Sequence, residues 1–240
     1  DITGTIETPF SAPRYKGSSF PKGVSIVWAP PGLKECAVAP SGTEPCWELA
    51  DPGMTDIPAN FLNSNPDLTG TLKLGAAVKT IGESAFFFTK LTGLDLSDAA
   101  SLVSIGDAAF LNTPITGTLV IPANVKTIGV DTFSYTKLTG LDLSQAASLV
   151  SIGDGAFLST PITGTLVIPA KVETIGVVAF AQTKLTGLGL SQAASLVSIG
   201  DEAFRDTDIT GPIVTPFNVP AYTTGGKAAS FPPGVTIVKG

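Results

Sequence analysis

The chain has 240 residues, with 14 Lys and Arg against 20 Asp and Glu, which gives a net charge of −6 at pH 7. Charged residues make up 14% of the chain, well below the ~25% usual for soluble proteins, so neither nucleic acid nor a basic binding patch is expected. No apolar run approaches the ~20 residues of a membrane span, so membrane insertion is not expected either. The chain has no histidine, which excludes Ser-His-Asp triads and histidine zinc sites. The composition therefore predicts no enzyme, no cofactor and no metal site.

The N-terminal segment, residues 1–30, resembles the C-terminal tail. Residues 1–15 match residues 208–222 at ten of fifteen positions, and residues 20–27 match residues 231–238 after a shift of four. At the C-terminus, residues 218–240 follow the last repeat and are interpreted as a cap. We interpret the chain as a piece of a longer polypeptide in which blocks recur every 207 residues (208 − 1). Two alternatives stay open: residues 1–30 cover an edge of a neighbouring copy, or a capping motif is reused at both ends.

The two cysteines lie close together in residues 31–54, a segment rich in proline and glycine that is predicted to be a linker or cap. Cys36 and Cys46 are ten positions apart and have no histidine partners with which to bind zinc. We therefore predict a disulfide between them, which places the protein outside the reducing cytosol.

Residues 55–217 form a tandem repeat with an offset of 47 residues. Two different halves alternate within it. Half A reads PITGTLVIPANVKTIGVDTF at residues 114–133, and half B reads KLTGLDLSQAASLVSIGDGAF at residues 137–157. Each half ends in a phenylalanine, and these six residues are the predicted repeat core: Phe86, Phe110, Phe133, Phe157, Phe180 and Phe204. Such a period indicates a solenoid, in which each unit is stable only against its neighbours.

Alternating apolar residues predict one short strand in each half. The seven expected strands begin at Leu72, Leu94, Leu119, Leu141, Leu166, Leu188 and Ile213. Stacked neighbours would join them into one parallel β-sheet of about seven short strands. The Gly-Asp-x-Ala-Phe sequence of the B halves further predicts that Asp107, Asp154 and Asp201 each cap one helical turn.

The recurring I-G-x-x-A-F core, as in Ile152 to Phe157, followed by T-G and an L-x-L or L-x-I-P strand, resembles the BspA-like leucine-rich repeat. The resemblance implies a right-handed leucine-rich-repeat coil with short 3-10 or helical turns. It also implies a surface or secreted protein used for adhesion and binding rather than catalysis. One departure concerns the residue after the phenylalanine turn, where many such repeats carry Cys or Asn. Here the residue is threonine, and a ladder of hydroxyls is expected to satisfy the turn backbone: Thr89, Thr113, Thr136, Thr160, Thr183 and Thr207.

The outward residues at the middle of the strands form a candidate contact face. Its members are Asp95, Val120, Asp142, Val167 and Val214. Exposed valines with prolines just beyond them are typical of a contact patch, although plain exposed strand residues would give the same pattern. Asp95 and Asp142 are two strands apart, ~10 Å, which suits no pair of glycosidase carboxylates well.

A column of hydroxyl residues from Thr80 to Ser198 raises ice binding as a remote alternative, but charged neighbours such as Lys126 oppose it. The sequence predicts a non-enzymatic, extracellular or cell-surface module of a larger adhesive or structural, fibre-forming protein. Its expected partners are other protein modules, or copies of itself arranged end to end. The alternative is recognition of a protein or a polysaccharide through the sheet face.

Overall fold

The structure is a computed structural model that describes residues 4–8, 24–28, 32–36, 45–49, 51–215, 231–232 and 235–239. These residues form nineteen β-strands and no helix. In chain order the strands are β1 (Gly4–Thr8), β2 (Val24–Trp28), β3 (Leu33–Glu35), β4 (Cys46–Leu49), β5 (Asp56–Ile57), β6 (Thr69–Lys73), β7 (Thr80–Ile81), β8 (Lys90–Asp95), β9 (Ser104–Ile105), β10 (Thr116–Val120), β11 (Thr127–Ile128), β12 (Lys137–Asp142), β13 (Ser151–Ile152), β14 (Thr163–Val167), β15 (Thr174–Ile175), β16 (Lys184–Gly189), β17 (Ser198–Ile199), β18 (Pro212–Thr215) and β19 (Thr236–Lys239).

One continuous parallel sheet runs the length of the solenoid, in the order β17-β15-β13-β11-β9-β7-β5. Each of its strands has only two residues, a polar residue that faces outward and an isoleucine that is buried. Thr127 pairs with Ser151 and Ile128 with Ile152, and this register repeats from coil to coil. A solenoid with a seven-stranded parallel sheet is therefore confirmed.

The sheet is formed by other residues than expected, because the predicted L-x-L strands pair two by two instead. The A strand β10 pairs in parallel with the B strand β12, and β6–β8 and β14–β16 do the same. The A strands β6, β10 and β14 each carry a β-bulge, which in β10 lies between Gly117 and Thr118, and Gly117 has φ +82°. A bulge bends its strand and interrupts the ladder. The bulged strands β10 and β14 each keep a partner on one side and have no ladder on the other, whereas β6 also pairs with β4.

The third side of each coil is a ladder of turns rather than the expected helical turns. In one coil, the N–H groups of Ser84, Phe86 and Phe88 donate to carbonyls of the next coil over 2.8 to 3.0 Å. The N–H groups between them, those of Ala85 and Phe87, bond back within their own coil. Ser84 and Phe88 have positive φ, as the third residue of a type II turn requires. Alternate amides thus join neighbouring coils, and this alternation is incompatible with a helix.

Two of the three aspartates predicted as helix caps, Asp107 and Asp154, bind the neighbouring coil instead. Asp107 Oδ1 accepts a hydrogen bond from Val130 N at 2.8 Å, and Asp154 Oδ1 accepts one from Val177 N at 2.7 Å. Coils approach closely here: a Cβ on Gly153 would lie 2.5 Å from the carbonyl carbon of the preceding glycine in the column. The aspartates therefore stabilise the stacking of coils and not a local turn.

The six core phenylalanines form a continuous column along the solenoid axis. All six are completely buried. Adjacent rings are stacked, with centroids 5.2 to 5.4 Å apart and planes within 12° of parallel. Phe231 extends the column beyond Phe204 at 5.5 Å. The core is thus one contiguous cluster that spans all the coils.

The two ends of the solenoid are closed differently. At the first coil, β3 runs antiparallel to β4, and β4 pairs in parallel with β6. The expected disulfide is present and joins Cys36 to Cys46, with a Cα–Cα distance of 5.4 Å. Trp47 is buried beside it and donates its indole N–H to the Thr69 carbonyl at 2.7 Å. At the other end β19 adds a parallel strand to β18.

The threonine ladder is formed as the sequence predicts, with one exception. The hydroxyl groups of Thr89, Thr113, Thr136, Thr160 and Thr207 each donate to the carbonyl of the core phenylalanine three residues earlier, over 2.8 to 2.9 Å. The Thr183 hydroxyl is also buried, but it has no hydrogen-bond partner among the described residues. Two otherwise equivalent positions, Thr136 and Thr183, therefore differ by one hydrogen bond.

We expect Thr136→Val and Thr183→Val to differ in their effect on stability. The first change removes a buried hydrogen bond and should lower the free energy of unfolding by about 1 kcal/mol. The second removes only an unpaired hydroxyl and should leave that free energy unchanged or raise it. Urea denaturation followed by circular dichroism measures both values. Equal losses in the two variants would contradict the assignment.

Candidate functional site

Open clefts lie where the B strands β8 and β12 face the bulged A strands β10 and β14. The first complete cleft lies between β8 and β10 and has a volume of 510 Å³. Its equivalent, 47 residues further on, lies between β12 and β14 and has a volume of 540 Å³. A third cleft of 460 Å³ lies beside β4 and β6 near the disulfide end. One face of the solenoid thus carries a regular row of similar clefts.

The structure brings most of the predicted contact face into these clefts. Asp95 and Val120 line the first, and Asp142 and Val167 line its equivalent at the same positions. Val214 lies in β18, exposed, and lines none of the three clefts. The predicted residues therefore form two separate sites, and not one column.

Each of these two clefts combines one strand carboxylate with an apolar wall and a carboxamide. Ser144 N donates to Asp142 Oδ1 at 2.8 Å, and the hydrogen bonds from Ser144 lower the pKa of that carboxyl. Asp142 is therefore ionised at neutral pH. Gln145 lines the first cleft and Gln192 the second. Sequence reasoning missed both glutamines, although they stand 47 residues apart in the same S-Q-A-A-S motif.

The hydroxyl column lies on the outward side of the seven-stranded sheet. At its first position Thr80 Oγ1 donates to Asp56 Oδ1 at 2.6 Å. Hydrogen bonds from Thr55 and Thr80 lower the pKa of Asp56. Further along the column, Lys126 and Glu173 are exposed, and each immediately precedes a threonine of the column. The face is therefore one hydroxyl wide and flanked by charge.

A second polar column lies on the turn ladder, where Asp107, Asp131 and Asp154 come from three successive coils. Burial raises the pKa of Asp131, and the neighbouring charges of Asp154 and Asp107 raise it further. Asp131 also has a left-handed backbone, with φ 50°. Three stacked carboxylates therefore repel one another in the folded state. Across the described segments, no group of three or more potential ligands is arranged to hold a metal ion.

The fold and these clefts define a β-solenoid of the leucine-rich-repeat class. The family of the BspA type leucine rich repeat region matches residues 55–186 and 103–219 in six copies. Because the matched region extends over more than half of the chain, the chain belongs to this family. Such repeats are commonly surface-associated and typically non-enzymatic. No curated protein and no solved structure matches the chain. No helix of the described residues is long and apolar enough to cross a membrane.

Asp131→Asn is expected to stabilise the protein at neutral pH. In the unfolded chain the carboxyl titrates near 3.8, but in the folded chain its pKa is raised. Between these two values the folded state binds more protons, so its stability falls as the pH rises through this window. The loss is complete above the folded pKa. Asp131→Asn has no carboxyl group to ionise and therefore does not lose this stability, and asparagine tolerates the left-handed backbone at the position.

The measurement is urea denaturation at pH 7 and again below pH 3.8, with the exposed Asp208→Asn as a control for net charge. The gain from Asp131→Asn should be present at pH 7 and vanish at the lower pH. A gain that is the same at both values, or that Asp208→Asn reproduces, would refute the assignment.

Proposed function

We propose that the chain is a non-enzymatic, extracellular or cell-surface module of a larger adhesive or structural protein. The observation that carries this proposal is that the two duplicated end segments adopt the same strand pairing. In β1–β2 Ile6 pairs with Ile26, and in β18–β19 Ile213 pairs with Ile237, with the same register on either side. The described strands of the two duplicated segments thus pair in the same register.

This equivalence supports a parent chain in which solenoid blocks follow one another. The pair β18–β19 completes a solenoid after its last repeat, so β1–β2 has the form of the same closing pair of a preceding block. The next element along the chain is the disulfide-linked pair β3–β4, which begins a new stack. Blocks closed at both ends would form a row of separate rods. Their partners are then other modules, or copies of the same block arranged end to end.

Two further observations support an extracellular and non-enzymatic role. Disulfides persist in oxidising surroundings such as the cell exterior, and Cys36–Cys46 fixes the start of the solenoid. The cleft between β8 and β10 is lined by a single carboxylate, Asp95. A glycosidase needs two carboxyl groups that flank one bond. A rigid, disulfide-closed repeat with shallow clefts suits binding better than catalysis.

The modular role is tested with an antibody raised against the chain. On intact, unpermeabilised cells of the source organism the antibody should label the surface. On a denaturing gel it should detect a polypeptide much larger than the 24.4 kDa of this chain. Labelling only after permeabilisation, together with a band at the size of the chain alone, would refute the proposal. Preimmune serum is the control.

Recognition of a protein or polysaccharide through the face of the long A and B strands is the second candidate, and the row of equivalent clefts on that face favours it. The double variant Val120→Lys and Val167→Lys places a bulky cation in each of two clefts. Beads coated with this variant should adhere less to cells of the source organism than beads coated with the unmodified chain. Val197→Lys is the matched control, because Val197 is 70% exposed beside the seven-stranded sheet. Equal adhesion of beads coated with the unmodified chain, the double variant and Val197→Lys would count against binding of a ligand in the clefts.

Ice binding stays a remote alternative with little support. The hydroxyl column is only one residue wide, and the exposed charges of Lys126 and Glu173 lie beside it. An ordered water layer that matches ice needs a broader uncharged plane.

A further inference from the structure

The strongest unexplained feature of the surface is a ridge on the turn ladder, which we call the turn ridge. It consists of the residues two positions after each core phenylalanine. These residues are Phe88, Asn112, Tyr135, Ser159, Gln182 and Asp206. All six have a left-handed backbone, with φ between 55° and 59°. They come from six successive coils, so they form one line along the solenoid axis.

Two bulky aromatic residues stand on this ridge where folding does not favour them. Phe88 and Tyr135 are 47% and 56% exposed. A left-handed backbone at a residue other than glycine costs about 1–3 kcal/mol, and asparagine and aspartate tolerate it best. Asn112 and Asp206 are thus the residue types that the position favours, whereas Phe88 and Tyr135 are not. About half of each side chain lies in solvent, and the Phe88 ring contacts the neighbouring Phe87 ring with centroids 4.4 Å apart, so packing in the core does not account for their presence.

A row of lysines runs beside the aromatic residues. Lys90, Lys137 and Lys184 each follow the ridge residue of their coil by two positions and are exposed. None of them forms an ion pair with a described residue. They are separated by two coils, or ~10 Å at ~4.8 Å per coil. This acidic protein therefore presents a regular line of unpaired positive charges.

We propose that the turn ridge binds an acidic polysaccharide that lies along the solenoid axis, with one negative group for every two sugar rings. A sugar ring is about as long as one coil is thick, so successive rings would meet successive coils. The apolar faces of alternate rings pack on Phe88 and Tyr135. The acidic groups pair with the lysines, which recur at every second coil. This alternation follows from the A and B halves and requires no further symmetry.

Polar ridge residues between the aromatic rings supply hydrogen bonds for sugar hydroxyls. Asn112 lies between Phe88 and Tyr135 in the row. Beyond Tyr135, Ser159 Oγ and Gln182 Oε1 are joined by a hydrogen bond of 2.6 Å, which holds both side chains in place. The ridge thus offers side-chain amide and hydroxyl groups in coils that lack an aromatic residue.

The spacing of the lysines favours a glycan over a nucleic acid. Each strand of DNA carries a phosphate every ~3.4 Å along the helix axis, which is far denser than one lysine per ~10 Å. The net charge of −6 would repel such a dense polyanion, whereas a sparse polyanion can follow the lysine row. The clefts that contain Asp95 and Asp142 lie on the long-strand side of the coil, so a polysaccharide on the ridge does not meet their carboxylates.

This inference names a ligand for the proposed adhesive role. It rests on that role in one respect, because an acidic polysaccharide must be present where the protein is located, outside the cell. The test is binding of the unmodified chain to immobilised hyaluronan, which carries one carboxylate per disaccharide. Chondroitin sulfate adds a sulfate, dextran is the neutral control, and single-stranded DNA represents the other class of polyanion. Binding to hyaluronan or chondroitin sulfate should weaken as salt is raised, and dextran and DNA should not bind.

Four variants locate the site on the ridge. The double variant Lys90→Gln with Lys137→Gln should weaken glycan binding by about tenfold, since two exposed ion pairs with the glycan are lost. Lys126→Gln, beside the seven-stranded sheet, is the control and should not weaken binding. Lys137→Arg should retain binding. Tyr135→Asn should also weaken binding, yet unfold at the same or a higher urea concentration, because asparagine relieves the strained backbone. This pairing of lost affinity with undiminished stability distinguishes a binding residue from a structural one.

Three results would overturn the inference. The unmodified chain binds neither acidic glycan, the lysine double variant and Tyr135→Asn bind the glycans as tightly as the unmodified chain does, or the unmodified chain binds DNA more tightly than the glycans. None of them bears on the location of the parent chain, which the antibody experiment tests separately. Conversely, salt-dependent glycan binding by a chain found only inside cells would refute the adhesive role and leave the ridge assignment intact.

Discussion

Everything in this protein depends on each coil lying directly on the next. A coil of about 23 residues carries too few apolar side chains to fold alone, so its free energy of folding comes from its neighbours. The stacked phenylalanine rings, 5.2 to 5.4 Å apart, fill the centre of the column. Around them the short strands, the turn amides and the aspartates all bond from one coil to the next. Side-chain packing and backbone hydrogen bonding therefore impose the same spacing.

The alternation of A and B halves adds a second period to this stack. Because the A strands β10 and β14 have a bulge after their glycine, they pair with the following B strand and separate from the preceding one. The clefts open at these separations, and for that reason they recur at 47 residues instead of 23 or 24. At the start of the long B strands, beside the turn ridge, the same alternation places lysines at every second coil. The face with the clefts and the turn ridge differ in chemistry, and both repeat with the alternation of A and B halves.

Much of the architecture could be predicted from the sequence because its causes are local and repeated. The spacing of Phe86 to Phe204 predicted the core, and the invariant threonines predicted the hydroxyl bonds to the turns. Strand pairing was harder to predict, since L-x-L alternation indicates a strand but not its partner. The partner depends on the conformation of Gly117, and Gly140 in the B half stands in the same T-G motif without a positive φ. The prediction that Asp107 caps a helix was wrong because the N–H group that donates to its carboxylate belongs to Val130, 23 residues later in the next coil.

The binding surfaces were only partly predictable. Val120 and Val167 were identified as outward-facing, but the clefts around them result from the bulges and could not be inferred. Phe88 and Tyr135 were not identified as surface residues, because an aromatic residue two positions from a core phenylalanine resembles more core. Their recurrence at 47 residues, in a position otherwise occupied by Asn, Ser, Gln and Asp, was the available signal.

The pairwise association of A and B strands also restricts how a protein of this kind can lengthen during evolution. A duplication of one half alone would leave a bulged strand without its partner, and its exposed amides would invite aggregation. At the end of the solenoid β18 is an A strand that no B half follows, and the tail strand β19 pairs with it in the place of that B half. Gene duplications that survive selection should therefore insert or delete two coils at a time, so that relatives differ in length by multiples of the double unit.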